Sequence, residues 1–447
     1  MEQVQNPARA LALQILNRTD SAGQYTNLAL DSALKKSSLS APDKALVTIL
    51  VYGVTERRIT LDYLADALSS RPMETLDGTV RNLVRMGLYQ LCYLDRVPAH
   101  AAINETVSLA PRRARGFVNA VLREYTRRGQ DISFPDPNTD PDRYLSVTYS
   151  LPIPLCRKLV DIFSRERAES VMEAFGHAPP VTLRVNTLKT SPEQMASELC
   201  ELGYRVQASD VLPTALRAPD FIPSGSAQMQ EGLVLVQDLA SQICVEVLGA
   251  QPGDCVIDAC ACPGSKTFGT AIRMQNEGKI LAYDLHKSKL SLIESGAARL
   301  GIDIIEVRER DARLHDPELR DIADRVLCDV PCSGFGVLGK KPEIRYKDLS
   351  DAAALPDIQL AILQNCCRYV KDGGILVYST CTIFPEENEQ NVARFLASHP
   401  EFAPENFSFG GICSQEGMLT LTPDAHGTDG FFIAKLRKSK LNNIPQP

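Results

Sequence analysis

From Gln237 onward, the chain alternates between short apolar strands and helical stretches, which sets what the chain can fold into. Five segments have the composition of buried strands: "CVIDACA", "KILAYDLH", "IDIIEVRERDA", "DRVLCDVPC" and "GGILVYSTCT". Such alternation predicts a parallel sheet with helices on both faces. Ligands of these sheets bind at the carboxyl ends of the strands, so we expect the chemistry of this chain there.

The first 130 residues have a different pattern, with apolar residues three and four positions apart and no strand signal. Segments such as "ARALALQILNR" and "RGFVNAVLREYTRR" predict an all-helical domain. This head carries a net charge of +5 and the remainder carries −12, so that the whole chain has a net charge of −7. A basic helical head on an acidic body is compatible with local contact to RNA.

Between these regions lies "GQDISFPDPNTDPDRY", whose proline, aspartate and asparagine content indicates a linker. The following "VTLRVNTLKTSPEQMASELCELGYRV" predicts a strand, a helix and a strand. Ser191 and Gln194 form a capping-box pattern at the start of that helix. The chain has no apolar run of about 18 residues, so we expect no membrane span. Thirteen cysteines without a secretory signal indicate reduced thiols in a cytoplasm.

The turn "DACACPGSKT" joins the first predicted strand to a helix. Lys266 and the helix N-terminus offer positive charge for a carboxylate. Asp284 ends the second strand, where it could bind a ribose, and Asp311 ends the third, where it could bind an adenine amino group. The pattern favours an adenosyl ligand with a carboxylate, such as S-adenosylmethionine. The alternative is that both aspartates are ordinary helix N-caps.

Two further strand ends each carry a cysteine. The fourth predicted strand ends in Asp329, Pro331 and Cys332, and the fifth in the turn "YSTCT" with Cys381, before a helix predicted to open at Pro385. A buried cysteine is usually inert packing. Two of them beside an aspartate suit methylation of cytosine at C5, because a thiolate adding at C6 makes C5 nucleophilic.

Several other features carry less information. The basic run Lys340, Lys341 and Arg345 could contact phosphates or form a solvated loop. No paired C-x-x-C and no histidine spacing completes a metal site, so we expect no metal. The remaining cysteines of this half are expected to be core or loop residues: Cys244, Cys255, Cys260, Cys262, Cys328, Cys366 and Cys367.

At this point the sequence resembles a known family. "DACACPGSKT", "DVPCSGFGV" and "YSTCTIFPEENEQNV" are similar to the main motifs of the RNA cytosine-5 methyltransferases of the NOL/NOP/Sun group. "VPAHAAINETV" and "RGFVNAVLR" resemble the NusB-like domain of its RsmB (Sun, Fmu) subgroup, and the likeness runs from about residue 5 to 438. The resemblance implies a multidomain protein: a NusB-like all-α RNA-binding domain over 1–135, a linker and small α+β RNA-recognition module over 136–235, and a Rossmann-like α/β methyltransferase domain over 236–440.

The resemblance also implies roles for single residues. Cys381 would be the nucleophile, Cys332 would assist release of the methylated base, and Asp329 would lie between cofactor and target base. Asp284 would bind the ribose and Asp311 the adenine of S-adenosylmethionine. The stretch that would line its methionine part is Cys260, Ala261, Cys262, Pro263, Gly264, Ser265 and Lys266. The substrate of the subgroup is 16S rRNA, at cytosine 967 in standard rRNA numbering, and we expect a monomer.

Three positions depart from the family pattern. Cys262 and Ser265 replace an alanine and a glycine, and Phe335 stands where threonine is common. Ser265 would be strained if its φ were positive. Two alternatives stay open from the sequence. The same chemistry could act on tRNA or 23S rRNA, or the chain could be a non-catalytic RNA-binding assembly factor.

Overall fold

The computed structural model describes residues 6–22, 26–177 and 179–439. These residues form two compact units. The first contains the described residues within Met1–His177 and also Leu338–Leu349, and the second contains those within Ala178–Val337 and Ser350–Pro447. In the described part of the chain, no helix is both long and apolar enough to cross a bilayer.

The first unit is helical, as the periodicity of the head predicts. Its α-helices are α1 Pro7–Ala22, α2 Thr26–Lys36, α3 Ala41–Glu56, α4 Arg58–Leu68, α5 Gly78–Tyr93, α6 Ala99–Ser108, α7 Arg115–Arg128, α8 Pro141–Tyr149, α9 Ile153–Ile162 and α10 Arg165–Ala174. The spacing of three and four residues puts Val47, Leu50 and Val54 of α3 on one buried face. Ser40 caps this helix by accepting a hydrogen bond from the Asp43 backbone N–H.

The basic run after the fourth predicted strand, Lys340, Lys341 and Arg345, belongs to this helical unit. Arg345 is only 1% exposed. Its guanidinium donates to the carbonyl oxygens of Phe175, at 2.6 Å, and of Glu56, at 3.3 Å. A buried guanidinium that backbone carbonyls hold cannot contact a phosphate, so neither interpretation of the run fits Arg345. Lys340 and Lys341 are exposed.

The second unit begins with a small antiparallel sheet in the order β2-β3-β1-β4. Its elements are β1 Thr182–Val185, α11 Pro192–Glu201, β2 Gln207–Ala208, β3 Ala215–Arg217, α12 Ala227–Gln230 and β4 Val234–Val236. The predicted capping box is present, since Ser191 and Gln194 exchange side-chain and backbone hydrogen bonds. The first predicted strand and the helix are therefore confirmed, and the second strand, β2, begins at Gln207, directly after the predicted segment. The exact domain boundaries stay a prediction.

The main sheet of the second unit has the order β10-β14-β9-β8-β5-β6-β7, with β13 beside β14. Its strands are β5 Cys255–Asp258, β6 Lys279–Asp284, β7 Ile305–Glu309, β8 Ala323–Asp329, β9 Val370–Thr380, β10 Phe402–Pro404, β13 Met418–Leu421 and β14 Phe431–Lys438, while β11 Ser408–Phe409 and β12 Ile412–Cys413 pair separately. The helices of this part are α13 Leu239–Leu248, α14 Ser265–Arg273, α15 Lys287–Leu300, α16 Leu355–Cys366, α17 Glu389–Ser398 and α18 Pro423–His426.

The five strands predicted from the sequence are β5 to β9, and they pair in parallel. The prediction of a parallel sheet is incomplete, because β10, β13 and β14 add an antiparallel edge. The chain runs outward from β5 through β6 to β7, then returns to β8 and β9 on the other side of β5. The direction therefore reverses between β5 and β8, and ligands of such sheets bind in the crevice at this point.

Candidate active site

The two predicted cysteines meet at the carboxyl ends of adjacent parallel strands. Cys381 follows β9 directly, and Cys332 lies three residues after β8. Their sulfur atoms are 3.1 Å apart, within hydrogen-bond distance, and the Cys381 backbone N–H donates to the Cys332 sulfur at 3.2 Å. The register pairs Asp329 of β8 with Ser379 of β9, so parallel pairing alone brings both loops together.

The Cys332 thiol is held in its protonated form. Its hydrogen bond to Cys381 raises its pKa well above the ordinary value, and burial and the negative charge of Glu387 raise it further. A thiolate at Cys332 would lie beside the charge of Glu387 and the sulfur of Cys381, which disfavour it.

Asp329 is fixed by two neighbours at the centre of this edge. Lys266 donates to one carboxylate oxygen at 2.7 Å, and the Ser379 hydroxyl donates to the other at 2.8 Å. Burial alone would lower the pKa of Lys266, but the charges of Asp329 and of the neighbouring thiols outweigh it, and the pKa is raised. Lys266 is thus a permanent cation, and its partner is Asp329, a pairing that the sequence did not predict.

The turn after β5 leads into α14 with the geometry of a ligand loop. Gly264 is the N-cap of α14 at φ +109°, and a Cβ there would lie 2.5 Å from the Phe268 ring. Only glycine fits this position without strain. Ser265 is the first residue of α14, in helical conformation, so the strain considered for it does not arise. Pro263 is exposed, Cys260 and Cys262 are half-buried, and Ala261 is buried.

The two aspartates expected to bind the nucleoside lie at neighbouring strand ends. Asp284 is the last residue of β6, and its carboxylate accepts from the backbone N–H groups of Cys262, at 3.2 Å, and His286, at 2.9 Å. Asp311 lies two residues beyond β7 and binds Arg313 through both carboxylate oxygens, which lowers its pKa. Asp284 is not a helix N-cap, since His286 occupies that position before α15, and the short helical turn that follows Asp311 is capped by Asp316.

These residues suit an adenosyl ligand with a carboxylate. The α14 N-terminus presents free backbone N–H groups for an anion, and the two aspartates provide acceptors for hydroxyl and amino groups. Asp258 at the end of β5 adds a buried oxygen atom, Oδ1, for which no hydrogen-bond partner exists among the described residues. The other oxygen of Asp258 accepts from the Thr267 hydroxyl at 2.7 Å. Burial raises the pKa of Asp258 to about 7.

Three residues at this edge of the sheet were not predicted as site residues from the sequence: Ser379, Asp258 and Glu387. Ser379 could have been found, because parallel pairing of two predicted strands places it opposite Asp329. The helix after Cys381 was also predicted wrongly. It begins at Glu389, because residues 384–388 form turns and Asn388 has a non-helical ψ of −106°.

The other departures from the family pattern are accommodated by packing. Phe335 is 1% exposed and stacks on Phe384 with ring centroids 4.8 Å apart, which joins the Cys332 loop to the Cys381 loop. Burial and the charge of Asp284 raise the pKa of Cys262 to about 12, so it is an inert thiol. Within the described ranges, no group of three or more His, Cys, Asp or Glu residues is arranged to hold a metal ion.

Comparison with family models gives a match for each region. The model "16S rRNA methyltransferase RsmB/F" matches residues 245–437. The model "NusB family" matches residues 6–127, and the ferredoxin-like domain of RsmF/B-like methyltransferases matches residues 152–222. The helical head, the small sheet and the main sheet thus each have a counterpart.

Full-length relatives and solved structures agree with these matches. The "Probable ribosomal RNA small subunit methyltransferase B" of Bacillus subtilis (strain 168) is 36% identical, covering 96% of this chain and 98% of the relative. The crystal structure of PH0851 has a TM-score of 0.79 and 28% identity, covering 97% of this chain and 99% of that one. The structure of NSun6 from Pyrococcus horikoshii with SFG has a TM-score of 0.59 and 25% identity, covering 65% and 98%. The chain therefore belongs to the RsmB/F family of 16S rRNA methyltransferases, and it is an S-adenosylmethionine-dependent methyltransferase with a NusB-like helical domain.

Proposed function

We propose that this protein methylates C5 of cytosine 967 of 16S rRNA through a covalent adduct between Cys381 and C6 of the base. The observation that carries the proposal is the pair of thiols 3.1 Å apart at the carboxyl ends of β8 and β9, with Asp329 as the last residue of β8. Family membership supports the substrate, since the relative is named for the small-subunit rRNA.

The thiol pair suits the bond changes of this reaction. The Cys381 thiolate bonds to C6, the π electrons of the C5–C6 bond shift to the C4–C5 bond, and N3 takes a proton, which makes C5 nucleophilic. C5 then takes the methyl group, and the bond between this group and the sulfonium sulfur of S-adenosylmethionine breaks to leave a neutral thioether. A base removes the C5 proton, the double bond re-forms, and the C6–sulfur bond breaks to return the Cys381 thiolate. Cys332 lies beside Cys381, where it can assist this last step.

Asp329 would bind the target base during the addition. Lys266 and Ser379 each occupy one side of its carboxylate and fix its orientation. The remaining lone pairs can accept hydrogen bonds from the N3 and N4 edge of a cytosine whose ring becomes protonated at N3. Because both supports are on rigid elements, α14 and β9, the acceptor is oriented before the base arrives.

S-adenosylmethionine supplies the methyl group from its sulfonium when it is bound. The turn from Cys260 to Lys266 would hold its methionine part, with Asp284 at the ribose and Asp311 at the adenine. For Asp311 to accept the adenine amino group, its ion pair with Arg313 has to leave a lone pair free. We further propose that the protein acts as a monomer and in a cytoplasm; none of the thirteen cysteines, all within the described ranges, forms a disulfide, which supports the reducing compartment. Light scattering of the purified protein tests the monomer.

Bisulfite sequencing of RNA incubated with protein and S-adenosylmethionine tests the proposal. Unmodified 16S rRNA, 23S rRNA and tRNA are treated in parallel, both free and, for rRNA, as ribosomal particles. We expect one new 5-methylcytosine, at position 967 of 16S rRNA. A mark only in tRNA or 23S rRNA overturns the substrate, and no mark in any pool overturns the reaction.

The Cys381→Ala variant is the matched control for the nucleophile. Without the sulfur no adduct can form, so we expect the rate of methyl transfer to fall about a thousandfold or more. Binding of S-adenosylmethionine, measured by calorimetry, should be unchanged because Cys381 lies outside the cofactor turn. Normal methylation by this variant would disprove the assignment.

A further inference from the structure

The turn after Cys381 contains two adjacent polar side chains that the proposed reaction does not use. Glu387 is 2% exposed and Asn388 is fully buried. No lysine or arginine of the described chain forms an ion pair with Glu387. Burying a carboxylate without a cation is unfavourable unless hydrogen bonds compensate for the lost solvation. The contacts of this carboxylate therefore indicate its purpose.

Glu387 binds the loop that carries Cys332. One carboxylate oxygen accepts from the Ser333 backbone N–H at 2.9 Å, and the other accepts from the Ser333 hydroxyl. The Gln359 side-chain amide donates to the same carboxylate at 2.8 Å and to the Pro331 carbonyl at 3.0 Å. Glu387 thus holds the residues on both sides of Cys332, one directly and one through Gln359.

Asn388 binds the loop that carries Cys381. Its side-chain oxygen accepts from the Thr380 hydroxyl at 2.6 Å, and its side-chain N–H donates to the Thr382 carbonyl at 3.0 Å. These two residues flank Cys381 in the chain. Neighbouring side chains of one tight turn therefore bind the two loops that carry the cysteines.

We propose that Glu387 and Asn388 are positioning residues for the two thiols, with Glu387 acting through Cys332 on release of the methylated base and Asn388 acting through Cys381 on adduct formation. The proposal rests on the proposed function, because it assigns each residue to a step of that reaction. It also explains why the helix α17 begins late. Residues 387 and 388 bind the loops instead of continuing the helix.

The carboxylate of Glu387 cannot be replaced by an amide without loss. It accepts from three donors, two of Ser333 and one of Gln359. A glutamine keeps one accepting oxygen and turns an N–H₂ group towards groups that donate to the carboxylate of Glu387. The Glu387 charge also contributes to the raised pKa of Cys332. Loss of the carboxylate should loosen the Cys332 loop and leave the Cys381 loop in place.

The experiment separates adduct formation from release in a single turnover with 16S rRNA and S-adenosylmethionine. Denaturing gels measure the covalent protein–RNA complex over time. For Glu387→Gln we expect release about tenfold slower or more, with adduct formation within about threefold of the wild type. For Asn388→Ala we expect the opposite, slow formation without accumulation of the adduct. The exposed neighbour Glu386→Gln makes the same chemical change and should release at the wild-type rate.

A double-mutant cycle distinguishes positioning from a general loss of structure. If Glu387 acts through Cys332, then Glu387→Gln has no further effect on release in a Cys332→Ala background. Glu387→Asp, which keeps the charge, should restore part of the release rate. Should Glu387→Gln fail to fold, Ser333→Ala removes one donor to the same carboxylate and should slow release in the same direction. Additive effects, or equal loss of both steps, overturn the proposal.

The proposed function can fail separately. If Cys381→Ala methylates 16S rRNA at the normal rate, the covalent mechanism is wrong. If Cys332→Ala traps the adduct while Glu387→Gln releases its RNA at the wild-type rate, only the positioning role is wrong.

Discussion

At the scale of single residues, the two thiols differ in the charges that surround them. Cys332 is surrounded by Glu387 and by the sulfur of Cys381, which together with burial raise its pKa. Cys381 lies within the electrostatic reach of Lys266, whose pKa it raises in return. A cation favours a thiolate and a carboxylate disfavours it. A cation near Cys381 and a carboxylate near Cys332 support the proposal that Cys381 is the nucleophile.

The first residue-scale prediction concerns Cys332→Ala. Without the thiol that assists release, the adduct should accumulate as a protein–RNA complex that survives denaturation, and turnover should fall about a hundredfold. A denaturing gel of protein mixed with 16S rRNA and S-adenosylmethionine measures the complex. The double variant Cys332→Ala with Cys381→Ala is the control and should trap nothing. Normal turnover without a trapped complex would contradict the role of Cys332.

The second residue-scale prediction concerns the buried carboxyl of Asp258. Its pKa is raised to about 7 in the fold, against about 3.9 in an unfolded chain. The protonated carboxyl contributes to the free energy of unfolding. This contribution is fully present below about pH 4, and it is lost as the pH rises towards 7, by up to about 1.4 kcal/mol per pH unit. Asp258→Asn should lack this loss, so the variant gains stability relative to the wild type between pH 5 and pH 7.

Urea unfolding of the wild type and of Asp258→Asn at both pH values measures the difference. The exposed Asp303→Asn is the control for loss of one carboxyl group. A difference in free energy of unfolding that is the same at pH 5 and pH 7 would show that Asp258 is not the titrating group.

At the scale of elements, the strand-to-helix turns carry the function, and the strands and helices fix their positions. The turn from β5 to α14 depends on Gly264, the Cys332 loop follows β8, and the Cys381 loop follows β9. Each loop is joined to another element by a side chain, such as Lys266 to Asp329 or Phe335 to Phe384. The site is therefore rigid because its loops are cross-connected.

The element-scale prediction concerns Gly264→Ala. The new Cβ would lie 2.5 Å from the Phe268 ring at a φ of +109°, so either the turn or the ring has to move. We expect the affinity for S-adenosylmethionine to fall about tenfold or more and stability to fall by about 1–2 kcal/mol. Calorimetric titration and thermal unfolding measure the two effects.

Gly203→Ala is the matched control for this substitution. Gly203 also has a positive φ, +88°, but no atom lies within 4 Å of its added Cβ. It should share the backbone strain and leave cofactor affinity unchanged. Equal affinity of Gly264→Ala and the wild type would contradict a cofactor role for the turn.

At the scale of the whole molecule, charge is divided along the chain. The first 130 residues carry a net +5 and the rest −12. Arg127 and Arg128 close α7 with side chains 73% and 55% exposed. Phosphate contacts release counterions, so a basic surface that binds RNA gives an affinity that falls steeply with salt. This division favours the helical unit as the part that binds the rRNA backbone.

The whole-molecule prediction is a change in that salt dependence. Replacing Arg127 and Arg128 by glutamine should weaken 16S rRNA binding and reduce the slope of log affinity against log salt by about 0.7–0.9 for each phosphate that is no longer neutralised. Filter binding at several salt concentrations measures the slope. Arg308→Gln with Arg320→Gln removes two exposed arginines of the second unit and is the control. Equal slopes for both double variants would contradict the assignment.

The periodicity of the sequence determined the helical head, the five parallel strands and the strand ends where the site lies. It could do so because burial of one face imposes a repeat of three to four residues on a helix, and strand–helix alternation implies parallel pairing. The motif residues Cys332, Cys381 and Asp329 follow from the same pattern, since the carboxyl ends of neighbouring parallel strands lie side by side.

Only the tertiary structure decided which side chains hold these residues. The antiparallel edge strand β14, the partner of Lys266, the burial of Arg345 and the binding of both loops by Glu387 and Asn388 all depend on contacts between distant parts of the chain. A local pattern records which residues face a core, but the partner of a buried polar group is set by three-dimensional packing. The sequence therefore determined the chemistry of the site, and the fold decided its geometry.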